Sequence, residues 1–326
     1  MYVMENRLGN TLQTEQRPRV LVLGSTGRTG KAVLAELEKA DRIQPVYASR
    51  RRELVQAWKH EGKDAVYLDL DDARTFPEAL VGIDHLFLSS GYTVAMVHQG
   101  KTISDAAADA GVKFIVHLGI FGNGRMTDPH FAWHEIVERY IEGSGVAWAH
   151  LHPHVFMDNL LTTMPIVDGK FVWYAGDKPV GWVAPEDLAA VAALVLIEGP
   201  EKHGGKQYWL STEVLNGAEA AAAISQGLGQ RVEAVVLTPQ DLLQQVESGS
   251  IQMPPNIDAN YGASMLEWLQ QTFDGRMDFA AVTTTTVEDL TGRKPLRLRD
   301  WVRDNRERVL EAGLSVADSI RTTSER

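Results

Sequence analysis

The segment Val20–Val33, VLVLGSTGRTGKAV, decides how the rest of the chain is read. It opens on a continuous apolar run, Arg19-Val-Leu-Val-Leu, the mark of a strand buried on both faces of a sheet. The run stops at Gly24. From about Thr29 the pattern turns helical, with Val33, Leu34 and Leu37 on one face. Between strand and helix stand Gly24, Gly27 and Gly30, spaced three apart. Gly24 permits the tight turn, Gly27 lets backbone approach a pyrophosphate, and Gly30 lets the helix pack on the strand. Free amides at the helix N-terminus then face phosphate oxygens. The turn Gly24–Gly30, with Thr26 and Thr29, is expected to hold a dinucleotide; the alternative is a glycine turn that binds nothing.

Strand-like runs recur at Pro45–Ser49, Ala65–Leu70, His85–Ser90, Lys113–Gly119 and Ala147–Leu151. Helical stretches near Phe76–Leu80, Met96–Ala110 and His130–Glu142 separate the later ones. Strands alternating with helices imply βαβ units with right-handed crossovers. The expected fold is α/β, a Rossmann-type doubly wound parallel sheet with a smaller C-terminal α/β lobe. The rhythm changes after Asn159, with helices expected at Glu186–Ile197, Gly217–Gly227, Pro239–Val246 and Arg299–Leu310, and strands at Lys206–Ser211 and Arg231–Leu237. The expected division is a flexible tail at 1–17, a nucleotide-binding domain at 18–158 and a substrate-binding lobe at 159–326.

Composition narrows the function. With no Cys, the chain has no disulfides, thiolate metal sites or cysteine nucleophile. Its 43 acidic residues against 32 basic give a net charge of −11, which disfavours binding to nucleic acid or anionic membrane through the overall field. Arg293–Arg308 carries seven basic residues, but its three interleaved acids read as a solvated amphipathic helix. The apolar run through Ala189–Ile197 is far shorter than the ~20 residues that span a bilayer. The N-terminus has no secretory pattern, so the cytoplasm is the expected location.

The second strand-like run ends Ala48-Ser49-Arg50-Arg51-Arg52. A site for NAD(H) would place a carboxylate there to hold the ribose 2′-hydroxyl; a basic position suits a 2′-phosphate. The expected cofactor is NADP(H), with Arg50 and Arg51 gripping the extra phosphate, Arg28 adding charge, and Arg52 facing solvent. Ligands sit at the carboxyl ends of the strands, which places Asp69 near the adenine and Ser89, Ser90 and Gly91 beside the middle of the cofactor.

These residues resemble a family. GSTGRTG is similar to the glycine motif of NmrA-like, atypical short-chain dehydrogenase/reductase proteins. ISDAAADAGVKFIVHLG, HEIVERYIEGSGVAWAHLHPHVFMDNLL and WVAPEDLAAVAALVL agree with it in order, and the likeness runs over about residues 18–310. The resemblance implies an NADP-binding domain with a lobe closing a cleft. It also implies one of two activities: reduction of quinones, azo dyes, triphenylmethane dyes or iminium compounds, or regulation by NADP binding without turnover. An isomerase or epimerase with tightly held cofactor is a third possibility. The chain departs from the wider superfamily in lacking its Tyr-x-x-x-Lys pair and strand-end Ser. His130 and His134 occupy the Tyr and Lys positions, and the fifth strand ends His117-Leu118-Gly119.

Six of the ten histidines lie between His117 and His154. His134 is the candidate proton donor, since imidazole titrates near neutrality, and His130 one turn earlier is its candidate assistant. The alternative for His134 is a hydrogen bond to cofactor ribose or backbone. His150, His152 and His154 alternate along one strand, yet no carboxylate or cysteine pattern accompanies them, so no metal is expected. Phe156 is expected against the nicotinamide, and Tyr92, Phe121, Trp133, Asn159 and Trp173 around a flat, apolar substrate; Phe156 and Asn159 read equally well as core and cap residues, and each of the aromatics taken alone reads first as core. The expected partner is a small aromatic molecule, and the chain a monomer or homodimer.

Overall fold

Alternation along the first strand sets the layers. In β1 (Arg19–Val22), Val20 and Val22 enter the core on one side of the sheet and Leu21 that on the other, all fully buried. The structure, a computed structural model, describes residues 17–251 and 257–324, so residues 1–16 of the expected tail lie outside it. The following strands are β2 (Gln44–Ser49), β3 (Asp64–Tyr67), β4 (His85–Leu88), β5 (Phe114–Leu118), β6 (Ala147–Pro153), β7 (Val155–Phe156), β8 (Lys170–Trp173), β9 (Val180–Val183), β10 (Lys206–Leu210), β11 (Glu213–Leu215) and β12 (Glu233–Val236). Seven of them form one parallel sheet in the order β10-β6-β5-β4-β1-β2-β3. The order reverses between β1 and β4, the switch point at which open α/β sheets bind ligands.

Helices cover both faces. α1 (Arg28–Leu37), α2 (Arg52–His60), α3 (Phe76–Ala79), α4 (Met96–Asp109), α5 (Pro129–Gly143) and α6 (Pro185–Glu198) come first. α1 and α6 pack together over Val20, Val22, Phe114 and Val116. α4 and α5 cover Leu21, Leu86 and Ile115 on the opposite face with Ile103, Val137 and Ile141. Those two helices touch at Gly100, where an added Cβ would lie 2.8 Å from Val137 Cγ1.

The chain then leaves the sheet and comes back. β10 joins it beside β6, although both β10 and α6 lie beyond residue 159 in sequence. The remaining helices are α7 (Pro200–His203), α8 (Gly217–Leu228), α9 (Pro239–Glu247), α10 (Ala259–Phe273), α11 (Thr286–Thr291), α12 (Leu298–Asp304) and α13 (Arg306–Ser324). A three-stranded sheet β11-β9-β7 and the pair β12-β8 complete the smaller lobe. Its core includes Phe171, Trp173, Trp182 and Trp301.

Besides the unforeseen α2, β8, β9, β11 and α11, two helices differ from expectation. The terminal helix is broken in two at Asn305, whose Nδ2 donates to the Trp301 carbonyl at 3.0 Å, and Arg306 turns to donate to the Leu228 carbonyl. The break keeps Trp301, Val302 and Val309 all buried. α10 has no counterpart in the sequence reading, because Asn260 and Gly262 at its head are poor helix formers and hide its apolar spacing. No helix of the described residues is long and apolar enough to cross a membrane.

Candidate active site

The site begins at the turn after β1. Gly24 has φ +70°, a conformation glycine adopts without penalty. A Cβ on Gly30 would sit 2.1 Å from the Gly24 carbonyl oxygen, so only glycine lets α1 start this close to the strand. Ser25, buried under the turn, donates to the Val22 carbonyl at 2.7 Å and accepts from the Ala48 amide at 3.0 Å, which pins the loop to β1 and β2. Sequence reasoning missed this pin, since serine in a glycine turn carries no signal of its own. Gly24, Thr26 and Gly27 are exposed. α1 begins at Gly27 with neither a side-chain cap nor an acid in its first turn, so its first amides face outward beside a positive helix end. Across the switch point lies Ser89, 3.7 Å from where a Gly24 Cβ would be. An open cradle of amides with no side chain filling it fits a pyrophosphate.

The arginines divide. Arg50 is 72% exposed and makes one loose contact, 3.9 Å to Asp71. Arg51 precedes α2 and is exposed. Arg52 does not simply face solvent: its guanidinium lies 3.7 Å from the centre of the Tyr67 ring. Arg28 has partners within the protein. Its guanidinium is engaged by the Asp158 carboxylate at 3.2 Å, the Asp158 carbonyl at 2.6 Å and the Thr162 hydroxyl at 3.1 Å. Asp158 is nearly buried, which pushes its pKa up against the pull of Arg28. An arginine that compensates a buried carboxylate has little charge to spare for a ligand. Asp69 is half-buried, in a turn where its carboxylate accepts from the Asp71 amide.

Beyond Ser89, Ser90 and Gly91, the chain reaches Tyr92, which is 43% exposed. Its ring lies 5.5 Å from that of Tyr261 on α10. The Tyr261 hydroxyl in turn shares a hydrogen bond with Nε2 of His130 on the first turn of α5. Trp133 flanks the same tyrosine, ring centres 6.1 Å apart. Burial keeps the Tyr261 hydroxyl protonated, and burial also lowers the His130 pKa to about 4. Both groups are therefore neutral at pH 7. The sequence had given up its tyrosine at position 130, and a distant helix brings another to the same histidine.

His134 stands one turn deeper. Its ring is 5.4 Å from His130 and 6.0 Å from His117, and burial lowers its pKa well below the usual histidine range. It borders a cavity of about 130 Å³ between α5 and the β6–β10 edge, shared with Gly122, Glu138, His152 and Trp209. Gly119 occupies the place of the superfamily serine; a Cβ there would lie 2.3 Å from Glu138 Oε1.

Two of the aromatics are core residues. Trp173 is 3% exposed and packs on Phe171 and Trp182 under Gly217, whose missing side chain makes room for it. Phe121 is likewise core, its ring 5.1 Å from that of His154. Phe156 is half-buried in β7, next to the Met157–Leu161 turn that receives Arg28. Asn159 lies inside that turn, its carbonyl accepting from the Thr162 and Met164 amides. His154 leaves the face of His150 and His152, since β6 ends at Pro153 and its Nδ1 accepts from the Val155 amide.

A seven-stranded parallel sheet, a glycine cradle at its switch point and a small second lobe define a Rossmann-type nucleotide-binding protein. The model of the NmrA-like family matches residues 16–300. The chain belongs to that family. It is 31% identical to an NAD(P)H azoreductase of Xenophilus azovorans over 232 residues, 69% of this chain and 79% of that protein. It is 29% identical to a (4-alkanoyl-5-oxo-2,5-dihydrofuran-3-yl)methyl phosphate reductase of Streptomyces griseus, covering 88% of this chain and 98% of the other. Among solved structures, a triphenylmethane reductase of Citrobacter sp. complexed with NADP(H) superposes with a TM-score of 0.73 at 20% identity, over 88% of this chain and 99% of the other. That last likeness is one of fold.

Proposed function

We propose that the chain is an NADPH-dependent oxidoreductase acting on a small aromatic or conjugated acceptor: a quinone, imine, azo compound or carbonyl. The observation that carries the reading is the open amide cradle at Gly24–Gly30 beside Ser89, with the exposed Arg50 guanidinium at the end of the neighbouring strand. The names of the reductase relatives agree with it. Gly24, Thr26, Gly27, Thr29 and Gly30 would hold the pyrophosphate, Arg50 and Arg51 the 2′-phosphate, and Asp69, Ser89, Ser90, Gly91 and Phe156 the rest of the dinucleotide. When bound, the reduced nicotinamide supplies hydride.

The chain's own work is positioning and proton supply. Tyr92 and Trp133 offer flat faces on either side of Tyr261, suited to an aromatic acceptor. The hydrogen-bonded pair Tyr261 Oη–His130 Nε2 would deliver the proton that a reduced carbonyl or quinone oxygen needs and regain it from water. The His130 ring, neutral at pH 7, orients that hydroxyl through Nε2, and His134 lies one turn behind it. α10, which follows the last strand of the main sheet, supplies Tyr261 and would close the cleft beside α5.

The test follows NADPH absorbance with a panel of quinones, azo dyes, imines and aldehydes. Turnover of a carbonyl or quinone is expected to fall about 10²–10⁴-fold in Tyr261→Phe, with NADPH affinity unchanged. Tight NADPH binding without turnover of any acceptor would favour the cofactor-sensing alternative. No affinity for any adenine dinucleotide would end both readings.

A further inference from the structure

The register of β5 and β6 sets His117 directly beside His150. Both face α5, since Val116, Ala149 and Leu151 enter the core on the other side. Two carboxylates of α5, one turn apart, lie over them. His117 Nδ1 is 3.9 Å from Glu138 Oε1, and His150 Nε2 is 3.6 Å from Glu142 Oε1. The two imidazoles are 1% and 0% exposed, yet none of their four ring nitrogens has a hydrogen-bond partner among the described residues. Nearly all buried polar atoms in folded proteins are satisfied, and an unsatisfied imidazole pair beside a carboxylate is a ligand set.

We propose that His117, Glu138 and His150 bind a divalent transition cation of the zinc class, which clamps α5 onto the β5–β6 edge of the sheet. One ligand atom from each of the three lies within 4.8 Å of the others. Tetrahedral zinc with bonds of about 2.0–2.2 Å sets ligand atoms roughly 3.3–3.6 Å apart, so rotations moving them on the order of 1 Å close the site. Two imidazoles and one carboxylate suit zinc, cobalt or nickel, whereas magnesium and calcium take oxygen ligands. His152 Nε2, 2.9 Å from Glu138 Oε1, donates to that carboxylate and fixes its direction, as outer-shell partners of metal ligands do. A cavity of about 130 Å³ borders Glu138 and His152, which brings solvent to one side of the carboxylate ligand. The sequence held no such pattern, because one ligand comes from each of two adjacent strands and the third from the helix between them.

The test uses full-length, tag-free protein stripped with EDTA. It is titrated with zinc chloride by calorimetry and with cobalt chloride by visible absorption. Expected are one equivalent of zinc bound at micromolar concentration, a cobalt d–d band and a rise in thermal midpoint. Glu138→Gln and His150→Asn should abolish all three. His152→Asn should weaken zinc binding about 10–100-fold, and His154→Asn should leave it unchanged. Wild-type protein that takes up no stoichiometric zinc and shows no cobalt band overturns the proposal, however the variants fold. So does uptake by folded Glu138→Gln or His150→Asn equal to that of wild type.

Discussion

Replacing Arg50 with alanine isolates the contribution of one phosphate. Its side chain is 72% exposed and its single ion pair, to Asp71, is 3.9 Å long between two exposed groups. Such a pair contributes at most about 1 kcal/mol, so the free protein should lose little and its melting midpoint should hold. A bound 2′-phosphate is a different case. A hydrogen bond to a charged group is worth about 1.5–3 kcal/mol, and 1.4 kcal/mol is tenfold in affinity. Arg50→Ala is therefore expected to weaken NADPH about 10–150-fold and NADH less than about twofold. Calorimetric titration with each dinucleotide reads both numbers on one preparation. The NADPH loss should shrink between low salt and about 0.5 M salt, since the site is open to screening ions. Equal losses for NADPH and NADH, or no loss for either, would refute the assignment of Arg50 to the extra phosphate.

Arg28→Ala should leave the ratio of NADPH to NADH affinity unchanged and cost stability, since it strands the buried Asp158 carboxylate. About 2–3 kcal/mol is expected by urea denaturation, below the range for a fully buried pair because Arg28 is one-third exposed. Asp158 already has a raised pKa in the folded chain, so the folded state binds more protons than the unfolded one; the Arg28→Ala variant should weaken further as pH rises from about 4 to 7. The histidines act in the opposite sense. His130 and His154 have folded pKa values lowered to about 4 and His150 to about 3, all by burial, so unfolded chains take up protons first as pH falls below 6.5. Each is expected to cost about 2 kcal/mol at pH 5, and stability measured by denaturant melts should drop between pH 6.5 and 4. Asp128, raised to about 6, gives part of that back. Stability that stays flat through this window would mean that the imidazoles are protonated in the folded chain.

The sheet was legible because buried parallel strands leave continuous apolar runs. Val20–Leu23, His85–Leu88 and Phe114–Leu118 needed no partner to be read. The glycine turn was legible for a similar reason: three positions without side chains at fixed spacing serve one local geometry. What the sequence hid was tertiary. Arg28 reads as a free cation until Asp158, 130 residues later, is brought against it. Trp173 reads as either a cleft or a core aromatic until Gly217 opens a slot that buries it. Tyr261 gave no sign of its meeting with His130, because the helix that delivers it is masked by Asn260 and Gly262. The histidine cluster was visible as a count, but its carboxylates sit on another element, and spacing along one strand does not reach across to α5.

The late arrival of α6 and β10 bears on how the chain is made. Until residues 185–210 have left the ribosome, the hydrophobic side of the sheet around Val22, Phe114 and Val116 is only partly covered, and β6 offers an open edge to any passing strand. A nascent chain stopped after the sixth strand is thus an aggregation-prone fragment, and the nucleotide-binding half should not survive expression alone. Synthesis must run most of the way to the end before the first strand is sealed in place.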